Sequence, residues 1–562
     1  MFFPENFFSL NNSGLHLNTH DRRRKNKKKM SKNILDKVSS TEKGFASIHR
    51  DDAEITAGFK VSLSLDMANI VSDLQATFKT GKTKSLAWRK QQLSQLLKML
   101  QENHLAIAEA VGKDHQNSTK FRGVIDMINS VNGITQALAN LDDWAADVPC
   151  KAPMFGDAFI RPEPKGVVLI ISPWNYPLAM AIDPLIPILA AGNCAVIKPS
   201  EVSNHTSALL EQLIEKYMDR SAIRTVLGGI PETTALLEQK WNHIMYTGNG
   251  SVGRIVMAAA AKNLTPVTLE LGGKSPTYVD KSANITKAAT SLMFYKYGIN
   301  VGQTCIAPDY VLVHEDVEDE FHAACRNVLN SYFGKDESQR KKHKGYARVI
   351  NDRHTGRIGN LLKATNGQIV VGGEVDEANH YISPTIVKVP NAKEPLMREE
   401  IFGPVLPVLA VQNVHDAVVQ TNQICDHPLA LYVFAEDEAV IETYLQSTTS
   451  GGVAINTIME HQQAKDMPFG GVGESGMGAY HGKYGFDEFS HQRSVFRRST
   501  GRFGGGTQYQ ASPNSTTSDK FYNLAVKMMI TGFLTDGQKN ALKAVGGGVL
   551  AVLGARYFRA RM

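Results

Sequence analysis

The sequence predicts an α/β fold built on doubly wound parallel sheets, and three observations carry that prediction. Short apolar runs rich in β-branched residues recur between Gly and Pro: GVVLIIS (166–172), NCAVIKP (193–199), IRTVLGG (223–229), HIMYTG (243–248) and PVTLELGG (266–273). Helix-like segments such as SALLEQLIEKYM (207–218) and GRIVMAAAAK (253–262) lie between them, so strand and helix alternate. The runs are continuously apolar rather than alternating, which requires cover on both faces, and a parallel sheet wrapped by helices supplies it. A second alternating region, from about 275 to 455, contains DYVLVHE (309–315), QIVVGG (368–373), PVLPVLAV (404–411) and GGVAIN (451–456), and reads as another unit of the same kind.

Size and composition agree. A chain of 562 residues has room for several structural units. With 43% hydrophobic and 21% charged residues, 46 Gly and 22 Pro, it is neither collagenous, coiled-coil nor of low complexity. The net charge of +6 is local: residues 1–29 carry seven Lys/Arg against Glu5 and Asp21, leaving the remainder nearly neutral. That distribution argues against a groove tracking nucleic acid. The five cysteines (Cys150, Cys194, Cys305, Cys325, Cys425) are scattered and lack metal-ligand spacing, so no metal site is expected and a reducing compartment, the cytoplasm, fits best. No run reaches the ~20 apolar residues of a membrane span.

Taken in order, residues 1–65 lack periodicity and read as a largely disordered leader, with Met30 an alternative start directly after the basic run. From Ser85 to Val111, Leu86, Leu93, Leu96, Leu97, Leu100, Ile107 and Val111 recur at helical spacing, with a break expected near Asn103. Residues 504–519 (GGGTQYQASPNSTTSD) read as a flexible linker to a helical tail, 520–562. The uncharged stretch Ala544–Ala555 spans about 18 Å as a helix, short of a ~30 Å hydrocarbon core. Its aromatic and basic neighbours would suit a membrane surface, but docking back onto the folded body is the favoured expectation.

In open α/β sheets ligands bind beyond the carboxyl ends of strands, so the loops there are where chemistry is sought. PWNYP (173–177) holds Asn175 between two prolines, where its amide could face a developing oxyanion; taken alone, it reads first as a polar turn. Lys198 and Glu201 follow a strand, where a ribose hydroxyl needs an acceptor. Gly248-Asn249-Gly250-Ser251-Val252-Gly253 is a GxGxxG between strand and helix, suited to a pyrophosphate, although it follows the fourth strand rather than the first. By that fingerprint Glu270 would be the ribose acid, but Glu201 is better placed and Glu270 falls in what reads as a rigid ELGGK turn. Cys305 lies in polar GQTCIAP (302–308), whereas Cys194 and Cys325 fall in an apolar strand and a helix. A thiol of ordinary pKa needs a base to act as nucleophile, and Glu270 is a candidate; a plain loop cysteine is the equal alternative.

Together PWNYP, KPSE (198–201), Gly248–Gly253, LELGGK (269–274), GQTC (302–305), EEIFGP (399–404) and PFGG (468–471) resemble, in register over about 66–500, the aldehyde dehydrogenase superfamily. GQTCIAPDY (302–310) and SGMGAYHG (475–482) look most like its fatty aldehyde and coniferyl aldehyde class. The resemblance implies an NAD(P)-binding domain (66–274, less an arm hairpin at about 142–165), a catalytic domain (275–455), a return segment (456–487) and an oligomerisation strand (488–503). The fold class is thus α/β, two doubly wound parallel-sheet domains plus a small β arm that pairs subunits, and a homodimer is expected.

It further implies that Cys305 attacks the aldehyde, Asn175 and the Cys305 N–H hold the oxyanion, hydride leaves for the nicotinamide to give a thioester, and Glu270 activates water to release the free acid. Lys198 and Glu201 would hold the cofactor's adenosine ribose, Gly248, Asn249, Gly250, Ser251, Val252 and Gly253 its phosphates, and Glu400 and Phe402 the nicotinamide ribose, with Trp174 a further cofactor-binding residue. Glu201 favours NAD, with NADP left open; Gly250 departs from the family's usual Thr or Ser. Tyr176, Ile458 and Met459 would line an entrance suited to apolar or aromatic aldehydes. The rival readings are a CoA-acylating enzyme, which a poised Glu270 disfavours, and a catalytically retired NAD-binding homologue.

Overall fold

The structure, a computed structural model, describes residues 67–498 apart from 118–119, 153–155 and 465; the leader, linker and tail readings fall outside these. Three helices open the described chain, Met67–Lys79, Leu86–Asp114 and Lys120–Trp144. The second runs without interruption. Asn103 does not break it, because its amide donates to Met99 O of the same helix at 2.8 Å and to the Tyr217 hydroxyl at 3.1 Å, so its polar group is spent inside the packing.

Two short strands follow, β1 (Val148–Cys150) and β2 (Gly156–Pro164), and then the first large sheet: β3 (Val167–Ile171), β4 (Cys194–Lys198), β5 (Ile223–Thr225), β6 (His243–Gly248) and β7 (Val267–Leu271). All five residues of β3 and of β4 are buried, the double cover their composition demands. Beyond these come β8 (Pro276–Val279), β9 (Tyr310–His314), β10 (Gln368–Val371), the small pair β11 (Val375–Asp376) and β12 (Tyr381–Ile382), β13 (Thr385–Lys388), β14 (Val405–Val411), β15 (Ala430–Phe434), β16 (Gly452–Ile455), β17 (Gly476–Met477) and β18 (Ser490–Arg498).

The first sheet has the order β17-β7-β6-β3-β4-β5, parallel except for β17, which pairs antiparallel to β7. The chain runs outward from β3 to β5 and then returns to β6 on the other side of β3. The crevice between the carboxyl ends of β3 and β6 is therefore the switch point where doubly wound sheets bind ligands. The second sheet, β10-β13-β14-β9-β8-β15-β16, is parallel except for the edge pair β10–β13. β8, β13 and β15 were not singled out in the sequence. A separate antiparallel sheet joins β1, β2 and β18, the last in nine-residue register with β2. Among the described residues no helix is long and apolar enough to cross a membrane, and no group of three or more His, Cys, Asp and Glu is arranged to hold a metal.

One contact ties the leading helices to the first sheet. The helix Asn204–Tyr217 has no side-chain cap from Ser203. Asp114, ending the long helix, instead accepts His205 N at 3.0 Å, Thr206 N at 2.9 Å and Thr206 Oγ1 at 2.7 Å. A carboxylate on free N–H groups at a helix start is a charged cap supplied from another element. Asp114→Ala is expected to lower stability by about 2 kcal/mol, read as a shift in the urea midpoint with an unchanged slope.

Candidate active site

The site is assembled where the carboxyl ends of the first sheet meet the loops that precede strands of the second. After β3, Asn175 is buried; its Nδ2 donates to the Gln303 carbonyl at 3.2 Å, and its own carbonyl accepts Arg122 Nη2 at 2.6 Å and Asn300 Nδ2 at 2.9 Å. Asn300 Nδ2 also reaches Gln303 O at 3.0 Å. The Tyr176 hydroxyl meets Thr304 Oγ1 at 2.7 Å, with the Arg122 guanidinium 4.4 Å above its ring. Two loops distant in sequence are thus laced together one and two residues before Cys305. The proline-framed loop therefore supplies more than a turn.

Cys305 is half-buried, and its sulfur accepts the backbone N–H groups of Cys305 and Ile306. Burial, and after it the nearby Glu270 and Glu400, push the thiol well above its ordinary range, so it needs a proton acceptor before it can attack. Cys194 and Cys325 are buried in β4 and in the helix Glu318–Phe333. Tyr432, in β15, donates its hydroxyl to Ile306 O at 2.6 Å and accepts the Met459 N–H. Ile458 and Met459 are themselves buried.

Glu270 does not lie in a turn. It sits within β7, only 2% exposed, paired with Gly476 of β17. Gly476 has φ 141°, and a Cβ there would stand 2.0 Å from Leu269 O, so only glycine lets the return segment close over the strand. Gly471 N–H donates to the Glu270 carboxyl, Oε1 has no partner, and burial lifts the group to about 8. Glu400 is lifted to about 8 as well, by burial and then by Asp309, against the opposing Gly273 N–H, Lys274 and Arg357.

Glu400 and Phe402 precede β14, and Cys305 precedes β9. Searching only after strands therefore finds the first-sheet half of the site; Cys305 stood out by its polar local sequence, and Glu400 and Phe402 surfaced through motif resemblance. Behind the Glu400 loop, Lys274 Nζ bridges Asp309 Oδ2 (2.5 Å), Leu396 O (3.0 Å) and Glu399 O (2.9 Å), while Asp309 accepts Ile401 N at 3.1 Å. Arg122, Asn300, Thr304, Tyr432, Lys274 and Asp309 were not identified from sequence. Asn300 and Thr304 could have been, from proximity to Cys305; Arg122 lies in a helix whose pattern marks it as nothing unusual.

The residues fit a dinucleotide. Ser172 and Thr247, adjacent across the β3/β6 switch point, carry buried hydroxyls without partners. Asn249 caps the helix Gly250–Ala261 through Val252 N at 2.9 Å, presenting its first turn to a 270 Å³ cleft lined by Asn249, Gly250, Ser251, Gly272, Glu400 and Cys425 among others. Side chains would obstruct this cradle: a Cβ on Gly248 would meet the Tyr246 hydroxyl at 2.3 Å, and one on Gly253 Leu271 Cδ2 at 2.8 Å. Val252 is half-buried at that helix start. Lys198, buried at the end of β4, pairs with the exposed Glu201 at 3.0 Å. Trp174 packs edge-on to Phe402 with centroids 5.4 Å apart.

Parallel sheets with a dinucleotide cradle at the switch point, whose Glu400 also acts on a desolvated thiol, suit an NAD(P)-dependent oxidoreductase. Comparison with known proteins makes the class specific. Residues 37–495 match the Aldehyde dehydrogenase family, and the chain belongs to that family and is an NAD(P)-dependent aldehyde dehydrogenase. It is 43% identical over 437 residues to the dimeric NADP-preferring aldehyde dehydrogenase of Mus musculus, covering 77% of this chain and 95% of that one. It is 44% identical over 430 residues to aldehyde dehydrogenase family 3 member A2 of Rattus norvegicus, covering 76% and 87%. The substrate-bound structure of Staphylococcus aureus AldH superimposes with a TM-score of 0.77 at 37% identity, over 82% of this chain and 99% of that one.

The two raised carboxyls make stability pH-dependent with a definite sign. Each holds its proton more tightly in the folded chain than in the unfolded one, so its contribution is complete below the ordinary carboxylate range and lost as pH rises through about 8. Glu270→Gln and Glu400→Gln should therefore lose less stability than the parent between about pH 5 and pH 9, measured by urea midpoints.

Proposed function

We propose that the chain oxidises apolar aliphatic or aromatic aldehydes to free carboxylic acids, with Cys305 as nucleophile, Asn175 as oxyanion donor and Glu270 as the base of the hydrolytic step. The observation that carries this reading is the surroundings of the Cys305 sulfur: two backbone N–H groups aimed at it and a desolvated, half-spent carboxyl within electrostatic reach. Attack by sulfur on the carbonyl carbon puts negative charge on oxygen beside those N–H groups and the Asn175 amide, whose bond to Gln303 O is exchangeable for one to the oxyanion.

A bound nicotinamide ring supplies the hydride acceptor. The residues fitted to hold NAD(P) are Lys198 and Glu201 for the adenosine ribose, the Gly248–Gly253 loop for the phosphates, and Glu400 and Phe402 for the nicotinamide ribose, with Trp174 backing Phe402. Glu201 repels a 2′-phosphate, but its carboxylate is exposed and already neutralised by Lys198. NAD is therefore preferred without NADP being shut out. Once the thioester has formed, Glu270 takes a proton from water, the oxygen attacks the acyl carbon, and the C–S bond breaks to release the acid and return Cys305 as the thiolate. A base of this kind working beside the thioester favours hydrolysis over transfer to CoA.

What packs beside Tyr176 supports the apolar substrate class. Tyr176, Ala179 and Ile299 form a buried apolar cluster with Ile125, Met180, Phe294 and Tyr295 against it. Two subunits pair through the arm of β1, β2 and β18, whose Val148 and Phe496 are half exposed, in agreement with the dimeric name of one relative. The protein works in the cytoplasm, where a free nucleophilic thiol is kept reduced.

Cys305→Ala should abolish NADH formation, and Asn175→Ala should lower kcat by about 10²–10³-fold with little change in cofactor affinity. Turnover limited by hydrolysis should rise with pH through about 8, as Glu270 ionises, and the rise should be missing in Glu270→Gln. Glu201→Gln should raise the NADP/NAD ratio of kcat/KM by roughly tenfold. NADH absorbance across short, long-chain and aromatic aldehydes reads all four variants; equal activity of Cys305→Ala would end the proposal.

A further inference from the structure

We propose that Arg122 is the positioning residue of the oxyanion site: it anchors the Asn175 backbone so that the Asn175 amide meets the oxyanion, and formation of the acyl enzyme depends on it. This rests on the reading of Asn175 as oxyanion donor.

Arg122 lies on the helix Lys120–Trp144 and is only 1% exposed. A guanidinium keeps its charge inside proteins, so this is a buried cation. Its Nη2 donates to the Asn175 carbonyl at 2.6 Å, while Nε and Nη1 have no hydrogen-bond partner among the described residues. Its face stands 4.4 Å over the Tyr176 ring. A cation held by one hydrogen bond and one ring adds little stability over an apolar side chain of similar volume. Stability does not account for Arg122; its place behind the Asn175 loop does.

One turn further along the same helix, Asp126 accepts Leu178 N and Ala179 N, each at 3.2 Å. These N–H groups begin the helix Ala179–Ala191, which Leu178 leaves without a side-chain cap. Residues 175 to 179 are therefore gripped at both ends from one helix face, the carbonyl by a cation and the N–H groups by a carboxylate.

The grip matters because the Asn175 amide has to change partners. Its Nδ2 donates to Gln303 O at 3.2 Å, and Asn300 Nδ2 donates to the same oxygen at 3.0 Å. The Asn175 amide can thus turn to an oxyanion without leaving that carbonyl unpaired. Asn300 Nδ2 also reaches the Asn175 carbonyl at 2.9 Å, which ties the two loops to each other. Arg122 ties the Asn175 end to the leading helix, by a charge-assisted bond of the stronger kind. When the amide lets go of Gln303 O, the backbone anchor is what keeps it aimed. A misplacement of about 1 Å costs on the order of 10²-fold in rate. Arg122 acts through Asn175 and touches no reacting atom in this scheme.

The test measures the rate of NADH formation in the first turnover, NADH affinity by fluorescence, and alkylation of Cys305 by iodoacetamide, read by peptide mass spectrometry. Alkylation displaces iodide at a saturated carbon and forms no oxyanion, so it reports whether the thiol loop is intact. Arg122→Met keeps apolar bulk without donor or charge. At saturating aldehyde its first turnover should slow roughly tenfold or more, with NADH affinity and alkylation within about twofold of the parent. Arg122→Lys keeps the charge and a donor, and should recover the rate to within about threefold. In an Asn175→Ala background, Arg122→Met should cost less than about twofold further, because the amide it positions is gone. A parent-like first turnover in Arg122→Met, the same fold loss in both backgrounds, a lysine variant as slow as the methionine one, or equal loss of all three readouts overturns the proposal. Asn175→Ala separates the two ideas: a parent-like first turnover there removes the oxyanion reading and this inference with it, whereas a slow Asn175→Ala beside a normal Arg122→Met removes this inference alone.

Discussion

Glu270 is held where a charge is costly, and much of the molecule around it exists to keep it there. Removing a carboxylate from water without full hydrogen bonding disfavours its ionised form, and here one oxygen lacks a partner. The group stays buried because it belongs to a strand paired on both sides, with β6 parallel and β17 antiparallel. Its height in the site is a consequence of sheet register: Thr247 of β6 lies opposite Glu270, and Gly248 opposite Leu271. The same register thus fixes the carboxyl and the start of the glycine loop relative to one another. A slip of one residue in β7 would turn Glu270 to the other face.

The second half of the site is set by electrostatics rather than register. Lys274 follows β7 and reaches Asp309, Leu396 O and Glu399 O, so one ammonium spans the junction of the first sheet, the entry to β9 and the Glu400 loop. Lys296, fully buried in the π-helical segment Phe294–Gly298, lies 3.8 Å from the other Asp309 oxygen without a hydrogen bond, and burial lowers it to about 8. Two cations share one carboxylate behind Glu400. Such a cluster contributes little net stability against an apolar replacement. Its effect is directional: it pins the loop through backbone carbonyls, which an apolar core cannot do.

What was legible in the sequence divides along the same line. Strands buried on both faces announce themselves as continuous apolar runs, which is why β3, β4, β6, β9 and β14 could be seen. β13 did not stand out because TIVK is short and polar at both ends, whereas β15, ALYVF, is as long and as continuously apolar as β3 and was legible by the same criterion without being singled out. The catalytic candidates that sit in odd local sequence, Asn175 between prolines and Cys305 in GQTC, were visible as oddities. Their roles were not, because a role depends on neighbours such as Arg122 and Asn300 that fold onto them from 53 and 125 residues away from Asn175. Asn103 and Glu270 misled for a related reason. Asparagine favours helix ends and glycine favours turns as averages, and a specific tertiary partner, Tyr217 for one and β17 for the other, decided each case.

The buried polar atoms left without partners point the same way. They include Ser172 Oγ, Thr247 Oγ1, Glu270 Oε1, Asn300 Oδ1, Lys296 Nζ, Tyr480 Oη and two nitrogens of Arg122, all on elements that meet at the thiol or the cofactor crevice. Folding alone selects against such groups, since each forfeits hydration with nothing in return. Others lie elsewhere, Thr225 Oγ1 in β5, Thr277 Oγ1 in β8 and His322 Nε2 in the helix Glu318–Phe333 among them, so the energetic compromise is gathered at the site without being confined to it. The apolar sheets carry the stability that lets the surface between them keep hydrogen-bonding capacity in reserve for substrate, cofactor and water.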